Sequence, residues 1–228
     1  TGEYPLVPGH EVVGHIKAIG SDVKHLSVGQ KVGLGWHAGY CLHCQQCLSG
    51  DHNLCGQSTG TIVRHHGGFA EQVRAQAISV IPLPDGLDPA AAAPLFCGGI
   101  TVFNPLLAFN IQTTDVVAVI GIGGLGHLAL QFLNAWGCKV TAFTSNDSKR
   151  DQLISMGAHD TLNSRDENAL AEAAGRFDLI MSTVNVSLNW PAYINTLKPK
   201  GRFHFLGATQ EPISFDAFSL IMAQRELS

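Results

Sequence analysis

The chain predicts an α/β protein in two parts, a mostly-β first part with irregular loops and then a doubly wound parallel sheet. Three observations carry this reading. Val116 to Ile120 is a continuous β-branched and apolar run, as expected of a strand buried on both faces. Gly121, Gly123, Gly124 and Gly126 cluster directly after it. Leu125, Leu128, Ala129, Phe132, Leu133 and Trp136 then recur at helical spacing and form one apolar face. Further short strands are expected at Lys139–Phe143, Phe177–Met181 and Arg202–Leu206, with helical stretches between them. Alternating strand and helix means a parallel sheet.

Before about Asn104 the pattern differs. Glu11 to Ile19 is rich in valine and isoleucine and runs into a Gly20-Ser21-Asp22 turn. Lys31–Leu34 reads as a short strand, Phe69–Arg74 alternates, and Ile78–Ile81 closes before Pro82 and Pro84. Asp88-Pro89 followed by alanines is a helix start, with Asp88 as N-cap and Pro89 at the first helical position.

Of the 228 residues 45% are hydrophobic and 14% charged, enough for a substantial core and too apolar for a disordered chain. A net charge of -4 without a basic block argues against nucleic acid as the main partner. Val116–Leu133 is long and apolar enough to raise a membrane span, but its glycine cluster, His127 and Gln131 fit a strand, turn and helix better. No membrane partner is expected. The chain begins Thr1-Gly2-Glu3 and stops at Arg225-Glu226-Leu227-Ser228, which reads as an internal piece of something longer.

Cys41, Cys44, Cys47 and Cys55 are spaced C-x2-C-x2-C-x7-C. Zinc takes four thiolates in a tetrahedron, and such a closed shell is structural because it leaves no position for substrate. The metal-like gaps argue against a disulfide framework, which leaves redox-active or plain core cysteines as the alternative. Reduced cysteines holding metal suit a cytoplasmic protein.

Gly121-Ile122-Gly123-Gly124-Leu125-Gly126 matches G-x-G-x-x-G, between a buried strand and an amphipathic helix. That context marks a dinucleotide turn. The glycines serve the tight turn, the approach to pyrophosphate and helix packing, and the helix N-terminus offers free N–H groups to the phosphates. NAD enzymes usually place an acid at the end of the next strand. Here that strand runs into Thr144-Ser145-Asn146, with Lys149 beyond and Asp147 inside the turn. Hydroxyl and amide donors plus a cation suit a 2′-phosphate, hence NADP(H) over NAD(H), although the same residues also suit a simple polar helix cap.

Two further features stand out: His10-Glu11 after Pro8-Gly9, and Cys97 before Gly98-Gly99. Together with Pro94-Leu95-Phe96-Cys97-Gly98-Gly99-Ile100-Thr101-Val102, the four lobe cysteines and Gly121–Gly126, the chain resembles the zinc-dependent medium-chain alcohol dehydrogenases. Within them it is most similar to the cinnamyl-alcohol-dehydrogenase-like aldehyde reductases. The resemblance implies a partial GroES-like catalytic domain over residues 1–97, with a zinc lobe at 36–56, and a partial Rossmann domain over 98–228. It implies that His10 and Cys97 hold a catalytic zinc, with Glu11 able to swing onto it. The family's first zinc ligand, a cysteine upstream of Gly-His-Glu, has no counterpart here, so the chain alone is expected to be inactive. Thr101, Thr183 and Gly207 match positions at the nicotinamide end, and Thr144, Ser145, Asn146 and Lys149 match the 2′-phosphate pocket. His15, His43, His52, His65 and His66 match no motif and are expected at the surface or in supporting roles. Cys138 reads as a small buried thiol.

The function implied is zinc-dependent hydride transfer between NADP(H) and a primary alcohol or aldehyde, by a homodimer. The alternatives are a zinc-free reductase of the same superfamily and a non-enzymatic zinc-scaffolded nucleotide-binding module.

Overall fold

A computed structural model describes residues 4–228. The chain divides into two compact units between Ile100 and Thr101. The first is built on strands β1 (Val12–His15), β2 (Lys31–Leu34), β3 (His37–Gly39), β4 (Thr59–Gly60) and β5 (Val80–Pro82), with short helices α1 (Gln45–Leu48) and α2 (Pro89–Ala92). Strands β1, β2 and β5 form an antiparallel sheet in that order, with Val12 opposite Leu34 and Val32 opposite Pro82. Leu26, Leu34, Ala38, Leu83 and Ala92 are among the buried apolar residues of this unit. Gly33 sits mid-strand because the Phe96 ring lies where a Cβ would be. Asp88 caps α2, its carboxylate accepting from the Ala90 amide at 3.1 Å, with Pro89 in the first turn as the sequence predicts.

Two expectations are corrected here. The first strand is shorter than Glu11–Ile19, because after His15 the chain pairs only through Ile16 with Gln30 and Gly29 before turning away. Phe69–Arg74 is irregular. At its start the Gly68 and Phe69 amides donate to Gly9 and Pro8 carbonyls, and Phe69 is exposed, so its alternation has no ladder to serve among the described residues.

Helix α3 (Gly98–Ala108) leads into the second unit. There β6 (Val116–Ile120), α4 (Gly124–Trp136), β7 (Lys139–Thr144), α5 (Arg150–Ser155), β8 (Asp160–Asn163), α6 (Glu167–Glu172), β9 (Phe177–Ser182), α7 (Trp190–Asn195), β10 (Leu197–Phe205), α8 (Ala217–Ile221) and β11 (Glu226–Leu227) follow in turn. The strands pair in parallel in the order β8-β7-β6-β9-β10-β11. Read by position along the chain this is 3-2-1-4-5-6, the doubly wound arrangement, with its switch point between β6 and β9.

Alternation along each strand fills both faces. Val117 and Val119 join Ala129, Leu130 and Leu133 of α4 in one core. Ala118 and Ile120 join Leu170, Trp190, Tyr193 and Ile194 in the other. All of these are nearly or fully buried, and burying each large one contributes about 1.5–3 kcal/mol. Helix α4 stops at Gly137, whose φ of 103° is the left-handed cap that sends the chain into β7. Asp166 caps α6 by accepting from Asn168 and Ala169 amides at 2.9 and 3.2 Å. Among the described residues no single helix is long and apolar enough to cross a membrane.

Candidate metal and cofactor sites

In the first unit a one-turn helix and two tight turns bring the four lobe cysteines together. Cys44 precedes α1, which carries Cys47, and Gly50 (φ 90°) turns the chain into the short helical turn that delivers Cys55. All four sulfurs lie within 4.8 Å of one another, with Cys41–Cys47 at 3.9 Å and Cys41–Cys55 at 3.6 Å. A zinc ion bonding four sulfurs at about 2.3 Å sets them roughly 3.8 Å apart, whereas a disulfide needs about 2.05 Å. The donor set therefore fits zinc.

Its electrostatics ask for a cation as well. Backbone hydrogen bonding at His43 and Cys44 lowers the Cys41 thiol to about 6, while burial pushes Cys47 up to about 12. Four thiolates this close repel one another, so only a metal lets all of them ionise together. The lobe's base is tied down by Gln76, whose side chain accepts from the Tyr40 amide at 2.7 Å. His43 and His52 bond the Cys41 and Gly50 carbonyls through Nδ1 at 2.7 and 3.2 Å.

His10 and Cys97, separated by 87 residues, also meet in the first unit: Nε2 and Sγ are 3.2 Å apart. Two ligands of one tetrahedral zinc would stand about 3.6 Å apart, so the pair is close to ligand geometry. Trp36 packs edge-on against the His10 ring at 5.1 Å. Burial, then the charge of Glu11, raises the Cys97 thiol. Glu11 is turned elsewhere, Oε1 accepting from the Gly98 amide at 3.1 Å. Among the described residues the convergent groups of three or more ligand side chains comprise the lobe cysteines alone. His10 and Cys97 thus present two donors of suitable chemistry, and a catalytic zinc needs three protein ligands.

The second unit holds the glycine turn at the switch point. Gly121 follows β6 with φ 86°, and the Thr183 hydroxyl at the end of β9 donates to its carbonyl at 2.5 Å. A Cβ at Gly126 would overlap that same carbonyl, so helix and turn can close only with glycine there. A Cβ at Gly123 or Gly124 would meet nothing, which leaves room beside the first turn of α4, where Leu125 lies. Gly207 passes so close to the Val184 carbonyl that a Cβ would overlap it. Thr101 sits half-buried on α3.

A cavity of about 420 Å³ opens at the carboxyl ends of β6 to β9. Gly121, Thr144, Ser145 and Lys149 line it. The Thr144 hydroxyl is already engaged, donating to the Asn146 carbonyl at 3.0 Å and accepting from its amide at 3.1 Å. Asn146 is not in the lining and caps the turn instead, accepting from the Ser148 amide at 2.9 Å. Asp147 accepts from Asn163 Nδ2 at 3.0 Å. Ser164, Arg165, Val184, Val186 and Leu188 also line the cavity, and the sequence reading missed them. Their only signal is topological and not local: a doubly wound sheet calls for a third strand after β7, and its end supplies a wall.

Comparison with known proteins decides the family. Residues 1–85 match the alcohol dehydrogenase GroES-like domain, and residues 124–228 match the zinc-binding dehydrogenase domain. An aldehyde reductase of Synechocystis is 57% identical over 99% of the chain and 67% of its own length. The chain belongs to the zinc-dependent medium-chain alcohol dehydrogenases. Its first unit carries the GroES-like fold of this family and its second the Rossmann fold. A solved cinnamyl alcohol dehydrogenase of Sorghum bicolor superposes with a TM-score of 0.93 at 32% identity, covering 99% of the chain and 67% of that structure. The Helicobacter pylori enzyme, solved with NADP(H), gives 0.90 at 27%, covering 100% and 68%. The chain thus spans about two thirds of these dehydrogenases.

Proposed function

We propose that the protein is an NADP(H)-dependent zinc alcohol dehydrogenase or aldehyde reductase, moving a hydride between nicotinamide and the carbon of a primary alcohol or aldehyde. The observation that carries this is the His10–Cys97 pair at 3.2 Å, on a chain that also has a dinucleotide turn. Zinc, when bound, supplies a Lewis acid for the substrate oxygen, and the nicotinamide supplies or accepts the hydride. His10 and Cys97 would be two of the metal's protein ligands, and Glu11 holds negative charge beside them. Gly123 and Gly124 leave space for the pyrophosphate. Thr183 fixes the Gly121 carbonyl and so the mouth of the turn.

The preference for NADP(H) rests on Ser145 and Lys149 in a cavity without carboxylates. Asp147, the one acid in that turn, is spent on Asn163. Thr144 and Asn146 shape the loop, and Asn146 is not among the residues that line the cavity. A homodimer in the cytoplasm belongs to the same reading.

The test is steady-state turnover of aromatic and aliphatic aldehydes with NADPH and with NADH, by a protein that extends this chain to the full length of its relatives. We expect kcat/KM to favour NADPH at least tenfold, and Cys97→Ser to remove turnover while nucleotide binding persists. Equal efficiency with both nucleotides overturns the cofactor assignment, and full turnover by Cys97→Ser overturns the zinc assignment.

A further inference from the structure

We propose that Arg165 is a second cation of the nucleotide cavity, which with Lys149 selects a dinucleotide bearing a 2′-phosphate on its adenosine ribose. This rests on the NADP(H) reading above and extends the recognition from the loop after β7 to the loop after β8. Both cations line the cavity, and no aspartate or glutamate does. Among the described residues neither is paired with a carboxylate, whereas Arg150 and Arg176 close by are both bound to Asp160, at 3.5 and 2.8 Å. An unpaired guanidinium at the rim of a concave, acid-free site is suited to a phosphate, which it can grip with two parallel N–H bonds.

The backbone under Arg165 is held in place by the other loop. The Ser164 amide donates to the Thr144 carbonyl at 2.8 Å. Asn163 Oδ1 accepts from the Arg165 amide at 2.9 Å while its Nδ2 donates to Asp147 at 3.0 Å. The Tyr193 hydroxyl donates to the Ser164 carbonyl at 3.3 Å. One asparagine therefore joins the two cation-bearing loops and occupies the only acid of the first. That keeps Asp147 from opposing a phosphate and keeps Arg165 on the cavity rim.

The experiment is calorimetric binding of 2′,5′-ADP and of 5′-AMP to the whole protein, for wild type and for Arg165→Gln. The two probes differ only in the 2′-phosphate. We expect wild type to favour 2′,5′-ADP, and Arg165→Gln to weaken 2′,5′-ADP about tenfold or more without changing 5′-AMP, since a hydrogen bond to a charged group has that order of effect. Arg165→Lys should recover part of the loss. Unchanged 2′,5′-ADP binding in Arg165→Gln, with wild-type selectivity intact, overturns the role of Arg165 and leaves the NADP(H) reading standing. Equal weakening of both probes also overturns it, placing the side chain on the adenine. A wild type that does not discriminate between the probes overturns the NADP(H) reading itself.

Discussion

Replacing Cys47 with serine should empty the four-cysteine site and unravel the lobe around it. The lobe has little else to hold it: Leu42, Leu48 and Leu54 are 47%, 76% and 64% exposed, so its own leucines bury little surface. Structural zinc contributes roughly 10–16 kcal/mol of apparent binding free energy. Shared over four thiolates, that is about 3 kcal/mol each, or about a hundredfold or more in zinc affinity for one lost ligand. Serine at this position is nearly the same size, so the change removes the ligand and not the packing. The assay is zinc content by mass spectrometry, paired with amide hydrogen exchange across residues 41–55. Exchange there should accelerate strongly, while strands β6, β7 and β9 of the other unit keep their protection. A Cys47→Ser protein with wild-type zinc content and unchanged exchange in the lobe would refute the reasoning.

Three further outcomes can be checked. Gly126→Ala should abolish nucleotide binding and lower Tm, because the new methyl has to displace the Gly121 carbonyl, and titration with NADPH reads the loss directly. Thr183→Val removes the hydroxyl bonded to the Gly121 carbonyl and should cost about 1 kcal/mol of stability, measured by urea unfolding. Burial, then Asp115 and Asp178, push the Cys138 thiol up to about 11 from an ordinary 9.0. A raised folded value means the stabilising protonated form is fully present below 9 and is lost as pH climbs towards 11, a cost of about 2–3 kcal/mol at the end. Wild type should therefore lose more of its urea midpoint between pH 8 and 11 than Cys138→Ala does.

What could be read from the sequence was what is encoded locally. The strand Val116–Ile120 is found where its β-branched run lies, because a central strand covered on both faces must be apolar throughout. The Asp88-Pro89 helix start is likewise a matter of adjacent residues. The boundaries that shifted depend on partners far along the chain. β1 ends at His15 because its partner strand begins only at Lys31 and Ile16 alone bonds beyond it, to Gln30 and Gly29, and nothing in Glu11–Ile19 itself announces that.

The same division explains the nucleotide site. The glycine turn is a local pattern: Gly126 answers to the Gly121 carbonyl five residues back, Gly123 and Gly124 leave open space, and Gly121 alone faces distant partners, Thr183 and Val184. The wall formed by Ser164 and Arg165 is invisible in that way, because β8 is a four-residue edge strand with polar ends and shows no hydrophobic period. Thr144 and Asn146 illustrate the converse. Their residue types suit phosphate donors and turn caps equally, and their hydrogen bonds run back to the turn's own backbone. With those two bonded into the turn, the hydroxyl and cationic groups left facing the cavity are Ser145, Lys149, Ser164 and Arg165, drawn from two loops that meet only because β7 and β8 are neighbours in the sheet. On the proposed role of Arg165, cofactor choice in this chain depends on the sheet order as much as on the loop after β7, and substitutions confined to that loop should shift it only in part.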